Sequence, residues 1–339
     1  MKTAIMGAGS LGTIIGAFLA KSGLDVLLID INKENTDALN KNGARVIGHA
    51  ELQAPVRACT PDQMEGEYDL VLLLTKQWNN PTALPPLNAH LKAESIVCTL
   101  QNGIPEESVG SFVGAERVVG GTVGFGAIWR EPGVSELATT MDYVRRFAFD
   151  IGEISNKITP KLEKVAAVLN NVGHTEILEN FTGARWSKLL MNATFSGMSA
   201  ALGCSFGEVL HSPEAMPHLM RIADETVRAA HASGVTLINM QSFDFNQFAL
   251  TGQDDADRLL PVYRRIWANH TATRASMLQD IEKGRPCEID YINGHVCAKG
   301  RTWGVATPAN DHVVKLVKQA EKVGKAPDFT TNLATFKEI

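Results

Sequence analysis

The sequence has no long apolar run and no excess of positive charge, and each absence argues against a class of protein. No uninterrupted apolar segment is longer than that from Leu70 to Leu74, whereas a membrane helix needs about 20 such residues. The 32 basic and 37 acidic residues give a net charge of −5, so the composition does not favour nucleic acid or an anionic membrane as a partner. We therefore expect neither partner.

Cysteine is also scarce, and its distribution limits the covalent chemistry of the protein. The five cysteines are scattered, odd in number and without a Cys-x-x-Cys pair: Cys59, Cys98, Cys204, Cys287 and Cys297. This pattern is typical of reduced thiols and not of a disulfide framework or a zinc site. The first predicted strand begins at residue 3, without a charged lead-in or a cleavage site, so we expect no secretory signal. We expect a cytoplasmic protein without a bound metal ion.

The first half of the chain alternates strand and helix patterns. The first four of its predicted strands are apolar without polar alternation, which is typical of a parallel sheet covered by helices on both faces. The predicted strands are Thr3–Met6, Val26–Ile29, Leu70–Leu74, Ser95–Leu100, Val118–Val119, Val134–Leu137 and Arg146–Ile151, and the predicted helices are Leu11–Ala20, Lys33–Lys41 and Lys161–Asn170.

The pattern changes near residue 178, after which almost every segment predicts a helix. The helices expected there are Thr182–Ser199, Pro213–Ser233, Asp254–Ala268 and Thr307–Val323, and the tail after Gly324 predicts a loose end. A length of 339 residues, at roughly 150 residues per domain, also favours two domains. The sequence therefore predicts an α/β domain over residues 1–178 and an all-α domain over residues 179–339.

A glycine-rich segment directly follows the first strand and opens the first helix. It reads Gly7-Ala8-Gly9-Ser10-Leu11-Gly12 and fits the pattern G-x-G-x-x-G. In this context the first glycine permits a tight turn, the second lets a pyrophosphate approach the backbone, and the third lets the helix pack on the strand. The helix N-terminus then holds the phosphates. We predict a Rossmann-like dinucleotide-binding site formed by these six residues.

An acidic residue, Asp30, ends the second strand 18 residues after Gly12. A carboxylate at this place bonds the adenosine ribose hydroxyls and repels a 2′-phosphate. The next residues, Ile31 and Asn32, bring no arginine. The pattern predicts NAD(H) in preference to NADP(H), although Asp30 could instead cap the following helix.

Further polar residues stand where ligands are expected. Thr75-Lys76 and Asn102 follow strands, at the sheet edge where open α/β folds bind ligands. Lys188 and Asn192 are four residues apart and share a face of an otherwise apolar helix, and the pair Ser276 and Asp280 repeats this spacing.

With these residues the chain resembles the ketopantoate reductases (2-dehydropantoate 2-reductases), within the 6-phosphogluconate-dehydrogenase-like enzymes. The resemblance implies a Rossmann-like domain followed by an all-α domain. It rests on five segments spread over nearly the whole chain: the glycine loop, Thr75-Lys76, Gln101-Asn102-Gly103, Lys188-Leu-Leu-Met-Asn192, and Ser276-Met-Leu-Gln-Asp280 continuing to Glu288-Ile-Asp-Tyr-Ile-Asn-Gly294.

The resemblance also implies roles for individual residues. Lys188 would be the general acid that protonates the ketone oxygen as hydride reaches the carbon. Glu288 would lie near Lys188 and the nicotinamide ribose. Asn192 would orient the substrate, Ser276 would bond its carboxylate, and Asn102 would contact both substrate and cofactor.

Other positions extend the resemblance or depart from it. Lys76 and the backbone of Ala127 match cofactor contacts of the family. Ile31 stands where the family often has an arginine on the NADP phosphate, which again favours NAD(H). Ser196 and Phe206 stand where it often has substrate-contacting asparagines. We keep Ser196 as a candidate substrate contact and expect a different or bulkier acyl chain.

These observations predict an oxidoreductase that moves a hydride between a nicotinamide cofactor and C2 of a 2-oxo or 2-hydroxy acid, by default ketopantoate and pantoate. One alternative is an NAD-dependent dehydrogenase of another branched or aromatic 2-hydroxy acid. A second is a dinucleotide-binding sensor without turnover, against which the joint presence of Lys188, Asn192, Ser276 and Glu288 argues. A homodimer is a further possibility that the helical domain leaves open.

Overall fold

A computed structural model of the protein describes residues 1–240, 243–252 and 254–338. Their contacts divide the chain into two units, Met1–Phe181 and Thr182–Ile339. Among the described residues, no helix combines the length and apolar character needed to cross a membrane.

The first unit consists of strands joined by helices. Its strands are β1 (Thr3–Met6), β2 (Val26–Ile29), β3 (Ala44–Gly48), β4 (Leu52–Ala54), β5 (Arg57–Cys59), β6 (Tyr68–Leu73), β7 (Leu91–Thr99), β8 (Val118–Val123), β9 (Ala127–Glu131), β10 (Val134–Leu137), β11 (Phe149–Gly152) and β12 (Thr175–Ile177). Its helices are α1 (Ser10–Lys21), α2 (Lys33–Asn42), α3 (Asn80–Leu87), α4 (Glu106–Val113), α5 (Met141–Phe147) and α6 (Pro160–Leu169).

The main sheet has the strand order β12-β11-β8-β7-β6-β1-β2-β5. From β5 to β8 every neighbouring pair is parallel, and only the β8–β11 pair is antiparallel. Successive residues of β6 enter opposite cores, since Leu70 and Leu72 belong to one apolar cluster and Val71 and Leu73 to the other. The predicted parallel sheet, buried on both faces, is confirmed.

A second sheet with the order β4-β3-β10-β9 packs against α1. The sequence pattern did not predict β3, β4 and β5, which are only three to five residues long. The strand predicted over Arg146–Ile151 begins late, because Arg146 and Phe147 form the last turn of α5 and pairing starts at Phe149.

The described residues of the second unit form helices and one hairpin. Its helices are α7 (Phe181–Met191), α8 (Gly197–Leu202), α9 (Phe206–His211), α10 (Ala215–Ala232), α11 (Asp255–Trp267), α12 (Ser276–Glu282), α13 (Asn293–Trp303), α14 (Pro308–Val323) and α15 (Phe329–Thr335), and the hairpin is β13 (Asn239–Met240) with β14 (Phe243–Asp244). A π-helical turn, Asn192–Ser196, joins α7 to α8.

The prediction of a loose end after Gly324 is wrong. Residues in this segment form α15, and the Phe336 side chain beyond it is completely buried. Its ring lies 4.7 Å from that of His312, and the Asn332 amide donates to the Ala201 carbonyl at 2.7 Å. The tail escaped prediction because its few apolar residues show little periodicity by themselves.

Candidate active site

The glycine loop between β1 and α1 has a backbone that requires glycine. Gly7 has a φ of +102°, and an added Cβ would lie 2.8 Å from the Thr75 amide nitrogen. A Cβ at Gly12 would lie 2.1 Å from the Gly7 carbonyl oxygen, so this position allows α1 to approach the loop. At Gly9, by contrast, an added Cβ meets no atom of the described residues within 4 Å.

These differences match the requirements of a phosphate-binding turn. Gly9 is the N-terminal cap of α1 and has no side chain to occupy the first amide groups. The half-buried Ser10 and Leu11 begin the helix, and its first turn carries no acidic side chain. The Ala8 carbonyl is fixed by the Asn35 amide at 2.9 Å and the Thr13 hydroxyl at 3.0 Å. The helix N-terminus therefore presents donors that suit an anion.

The Gly9 position gives a direct test of this loop. We expect Gly9→Ala to fold as stably as the wild type, because its Cβ points into open space. The same Cβ would keep the pyrophosphate of NADH away from the backbone amides that begin α1. NADH binding should therefore weaken about 10-fold or more, since losing one hydrogen bond to a charged group costs about 1.5–3 kcal/mol. Fluorescence titration with NADH and thermal unfolding measure the two effects. Gly12→Ala is the matched variant, expected to lower stability as well, and unchanged NADH affinity in Gly9→Ala would contradict the assignment.

Asp30 follows β2 on the same sheet edge and is half-buried. Its carboxylate accepts the Asn32 amide N–H at 2.9 Å, and burial raises its pKa above the ordinary range for aspartate. The side chain that caps α2 is Asn32, which accepts from the Glu34 and Asn35 amides. The alternative role of Asp30 as the helix cap is therefore wrong. Ile31 is 88% exposed beside it.

The loops after β6 and β7 are tied together by buried amides. The Gln101 side chain donates to the Thr75 carbonyl at 2.8 Å, and the Gln77 side chain donates to the Asn102 carbonyl at 2.5 Å. Lys76, in the first of these loops, and Asn102, in the second, are half-buried. With the glycine loop and Asp30, these residues follow four adjacent parallel strands, β7, β6, β1 and β2.

Ala127 lies elsewhere in the first unit, at the start of β9 in the smaller sheet. It is half-buried and pairs with Leu137 of β10. The preceding residue, Gly126, donates its amide to the Thr139 hydroxyl at 2.9 Å. Because α1 packs against β9, the backbone of Ala127 belongs to the layer that covers this helix.

In the second unit the candidate side chains form a stripe on one helical run. Through α7, the π-turn and α8, every residue of Gly183–Leu202 is buried except Lys188, Met191, Asn192 and Ser196. The three polar residues are spaced by four and so follow one another along one face. We call Lys188, Asn192 and Ser196 the polar stripe.

The π-turn affects the alignment of this stripe. In an α-helix each step of four residues overshoots a full turn by about 40°, so the third member would drift about 80° from the first. Here the Gly197 amide donates to the Asn192 carbonyl five residues earlier. Because the π-turn has more residues per turn, the step from Asn192 to Ser196 overshoots less than a step in an α-helix does. Ser196 therefore stays closer to the helix face that carries Lys188 and Asn192.

Ser276 is the first residue of α12 and its side chain is exposed. The preceding residue, Ala275, donates its amide to the Ser199 hydroxyl of α8 at 3.1 Å. This hydrogen bond holds the start of α12, and with it Ser276, beside Ser199, which is one helical turn beyond Ser196 at the end of the polar stripe. Asp280, one turn further along α12, accepts the Arg285 amide through its backbone carbonyl at 2.8 Å.

Glu288 is buried and immediately precedes a short 3₁₀ turn, Ile289–Tyr291, that leads into α13. The first residue of α13, Asn293, is completely buried and donates its side-chain amide to the Ala193 carbonyl at 2.9 Å. The segment that carries Glu288 is thus fixed to the π-turn within the same unit. Asn293 stands in the Glu288–Gly294 motif, but the motif by itself predicts no role for it.

The thiols take no part in either group of candidate residues. None of the five cysteines, all of which lie in the described residues, forms a disulfide bond, and burial raises the pKa of Cys204, Cys287 and Cys297 to about 12. Neutral, buried thiols are poor nucleophiles and metal ligands. The described ranges also contain no cluster of three or more His, Cys, Asp or Glu side chains arranged to hold a metal ion.

Comparison with known proteins extends over both units. Residues 3–145 match the family model described as ketopantoate reductase PanE/ApbA, and residues 180–321 match the model of its C-terminal part. A 2-dehydropantoate 2-reductase of Pyrococcus horikoshii is 30% identical over 326 residues, which cover 96% of this chain and 99% of the relative. The chain belongs to the ketopantoate reductase family.

Two solved structures that are 25% and 26% identical to the chain share its fold. A family member from Ralstonia eutropha JMP134 is 26% identical, with a TM-score of 0.79 over 96% of this chain and 99% of its own. A D-mandelate dehydrogenase solved with NADH and anilino(oxo)acetate is 25% identical, with a TM-score of 0.80 over the same shares. The predicted family, and the Rossmann-like domain followed by a helical part, are confirmed.

One departure from the ketopantoate reductase pattern belongs to an aromatic core. Phe206 is buried, and its ring lies 5.7 Å from that of Phe195 and 5.3 Å from that of Trp267. A neighbouring apolar cavity of about 10 Å³ reaches Met191 and is lined by Leu190, Met191, Thr194, Phe245, Phe248, Tyr263, Ile266 and Trp267. This volume holds about one water molecule, so a larger group would require the lining to move.

Proposed function

We propose that the protein transfers a hydride between NAD(H) and C2 of a 2-oxo or 2-hydroxy acid, with ketopantoate and pantoate as the default pair. The polar stripe carries the proposal, because a lysine, an asparagine and a serine lie half-buried in line on the helical run Gly183–Leu202, whose other residues apart from Met191 are buried. A sensor that only binds a dinucleotide has no need of such a stripe in its second unit. We further propose a cytoplasmic enzyme that forms a homodimer.

The first unit would hold the cofactor. The open position at Gly9 and the amide groups that begin α1 suit the pyrophosphate, and Asp30 suits the adenosine ribose. Lys76, Asn102 and the Ala127 backbone would complete the contacts. A bound nicotinamide supplies the hydride for reduction of the ketone, or accepts it in the reverse direction.

The second unit would supply the proton and the substrate contacts. Lys188 would donate a proton to the ketone oxygen, and its charge would stabilise the developing alkoxide. Asn192 and Ser196 would hold the substrate through its hydroxyl or carboxylate, and the exposed Ser276 hydroxyl would bond the carboxylate. Glu288 would act beside Lys188 and contact the nicotinamide ribose.

A second substrate class, aromatic or branched 2-hydroxy acids oxidised with NAD⁺, has its own support. Ser196 and Phe206 replace two amide side chains, and the lining beside Met191 is apolar and aromatic. A site that bonds a substrate hydroxyl discriminates by it about 10⁴-fold, so losing such contacts changes the preferred acid. The similarity to a D-mandelate dehydrogenase solved with NADH adds support.

The test is steady-state oxidation of NADH, and separately of NADPH, with ketopantoate, a branched 2-oxo acid and phenylglyoxylate. Fast reduction of ketopantoate with NADH is the expected result for the default substrate. Turnover of phenylglyoxylate or the branched acid alone would favour the second class. No turnover with either cofactor, together with tight NADH binding, would favour the sensor and contradict the proposal.

A further inference from the structure

We propose that a buried hydrogen-bonded chain from Glu225 through Asn310 to Asn293 holds the π-turn open and thereby positions Asn192 and Ser196. In this assignment Asn293 and Thr194 are positioning residues. The inference rests on the proposed function, because it concerns the polar stripe, and all its residues belong to the second unit.

The chain of hydrogen bonds begins at the N-terminus of α14. The carboxylate of Glu225, on α10, accepts the Ala309 amide at 2.8 Å and the Asn310 amide at 2.9 Å. It also accepts the Asn310 side-chain amide at 2.8 Å. These bonds orient the Asn310 side chain, so its oxygen is left to accept the Asn293 amide at 2.9 Å.

The chain ends inside the π-turn. Both neighbours of the Asn293 amide nitrogen, the Asn310 side-chain oxygen and the Ala193 carbonyl, are acceptors at 2.9 Å, which fixes the orientation of this amide. Its oxygen faces Gly197, where an added Cβ would lie 2.7 Å away. Glycine at position 197 therefore lets the amide reach the widened turn.

A second group supports the same turn from inside the helix. The Thr194 hydroxyl lies 2.7 Å from the Leu190 carbonyl and 3.1 Å from the Met191 carbonyl, and shares its single proton between them. A widened turn disturbs the regular helical bonding of nearby carbonyls, and a buried carbonyl without a donor is costly. The Asn293 amide and the Thr194 hydroxyl together supply such donors.

The position of this turn matters for the chemistry. It contains two of the three residues of the polar stripe, and Asn293 is also five residues beyond Glu288 on one continuous segment. A displacement of about 1 Å at a substrate-positioning group can cost about 100-fold in rate. The chain from Glu225 thus links the two segments that carry the candidate catalytic groups.

The experiment compares Asn293→Ala and Thr194→Val with Asn332→Ala. Asn332 is the matched control, because its amide also donates to a carbonyl of this helical run, that of Ala201, beyond the π-turn. We expect Asn293→Ala to lower kcat about 10- to 100-fold with little change in NADH affinity, and Thr194→Val to act in the same direction. Asn332→Ala should lower thermal stability and leave kcat unchanged.

Two readouts separate positioning from general destabilisation. In a Ser196→Ala background the effect of Asn293→Ala on kcat/KM should shrink, because the group being positioned is already absent. A crystal structure of Asn293→Ala should show residues 192–196 returned to α-helical bonding. Equal losses in Asn332→Ala, additive effects with Ser196→Ala, or a retained π-turn would each overturn the inference. If the wild type reduces no 2-oxo acid, the proposed function fails, whereas the crystal structure still decides whether the chain holds the turn.

Discussion

Replacing Lys188 with alanine is expected to lower kcat at least about 100-fold, in line with the contribution of a positioned general acid. The lysine is the first residue of the polar stripe and is half-buried on α7, between the buried Ser187 and Leu189. Without it, the alkoxide that the proposed reaction forms at C2 would lose its proton donor and the neighbouring positive charge. NADH should still bind with wild-type affinity, because the glycine loop and Asp30 are unchanged. Stopped-flow reduction and NADH titration measure the two quantities.

Two further variants separate the proton from the charge. Lys188→Arg keeps a positive charge on a group that does not release its proton in proteins. Its substrate KM should therefore lie between those of Lys188→Ala and the wild type, whereas its kcat should stay close to that of Lys188→Ala. Lys315→Ala removes an exposed lysine from α14 and should change neither constant. If Lys188→Ala kept its kcat, Lys188 would have no part in the chemistry. Recovery of kcat by Lys188→Arg would indicate a purely electrostatic role.

The parts of the fold that were predictable from the sequence depend on local patterns. The predicted strands Thr3–Met6, Val26–Ile29 and Val134–Leu137 have the bounds that the structure gives them. The first two are short runs that are apolar apart from Thr3, and the third directly follows the turn residues Pro132-Gly133. The glycine loop was predictable for the same reason, since its strand, turn and helix are consecutive in the chain.

The polar stripe was only partly predictable. A four-residue spacing indicates that Lys188 and Asn192 share a helix face, but it does not indicate that the next turn widens. That turn depends on Asn293, which is 100 residues away from Ala193 in the sequence. The partners Glu225 and Asn310 are 85 residues apart, and neither belongs to a recognisable motif. Hydrogen bonds between distant segments leave no periodic signal in one sequence.

The buried amides of the first unit escaped prediction for a related reason. Gln77 and Asn80 are almost completely buried and bond to the Gln101-Asn102 loop. Polar residues after a strand usually indicate an exposed loop, and here they join two loops instead. Their effect on function is indirect, because they fix the segments that carry the candidate residues Lys76 and Asn102.

Replacing Asp30 with alanine and Ile31 with arginine is expected to reverse the cofactor preference. The ratio of kcat/KM with NADPH to that with NADH should rise about 10- to 100-fold, since each hydrogen bond to a charged group contributes about 1.5–3 kcal/mol. The change removes the carboxylate that would bond the ribose and repel a 2′-phosphate. The Ile31 side chain is 88% exposed, so an arginine there has room to extend.

Matched variants test whether the effect comes from the ribose site. Asp30→Asn keeps an acceptor for the Asn32 amide and removes the charge, so it should show part of the shift without loosening α2. Asp37→Ala removes an exposed carboxylate that pairs with Lys33 at 2.8 Å on the same helix, and should leave the ratio unchanged. An equal shift in Asp37→Ala, or none in the double variant, would show that Asp30 does not set the preference.

The pH dependence of the wild type adds an independent readout. Burial raises the pKa of Asp30, so on acidification its carboxylate takes up a proton at a higher pH than an ordinary aspartate does. The neutral acid no longer repels a 2′-phosphate. The proposed preference of the wild type for NADH over NADPH should therefore decline as the pH falls through this range, and it should decline more than that of Asp30→Asn, in which only the 2′-phosphate itself takes up a proton. A wild-type preference that does not vary with pH while the enzyme remains folded would place the discrimination on other residues.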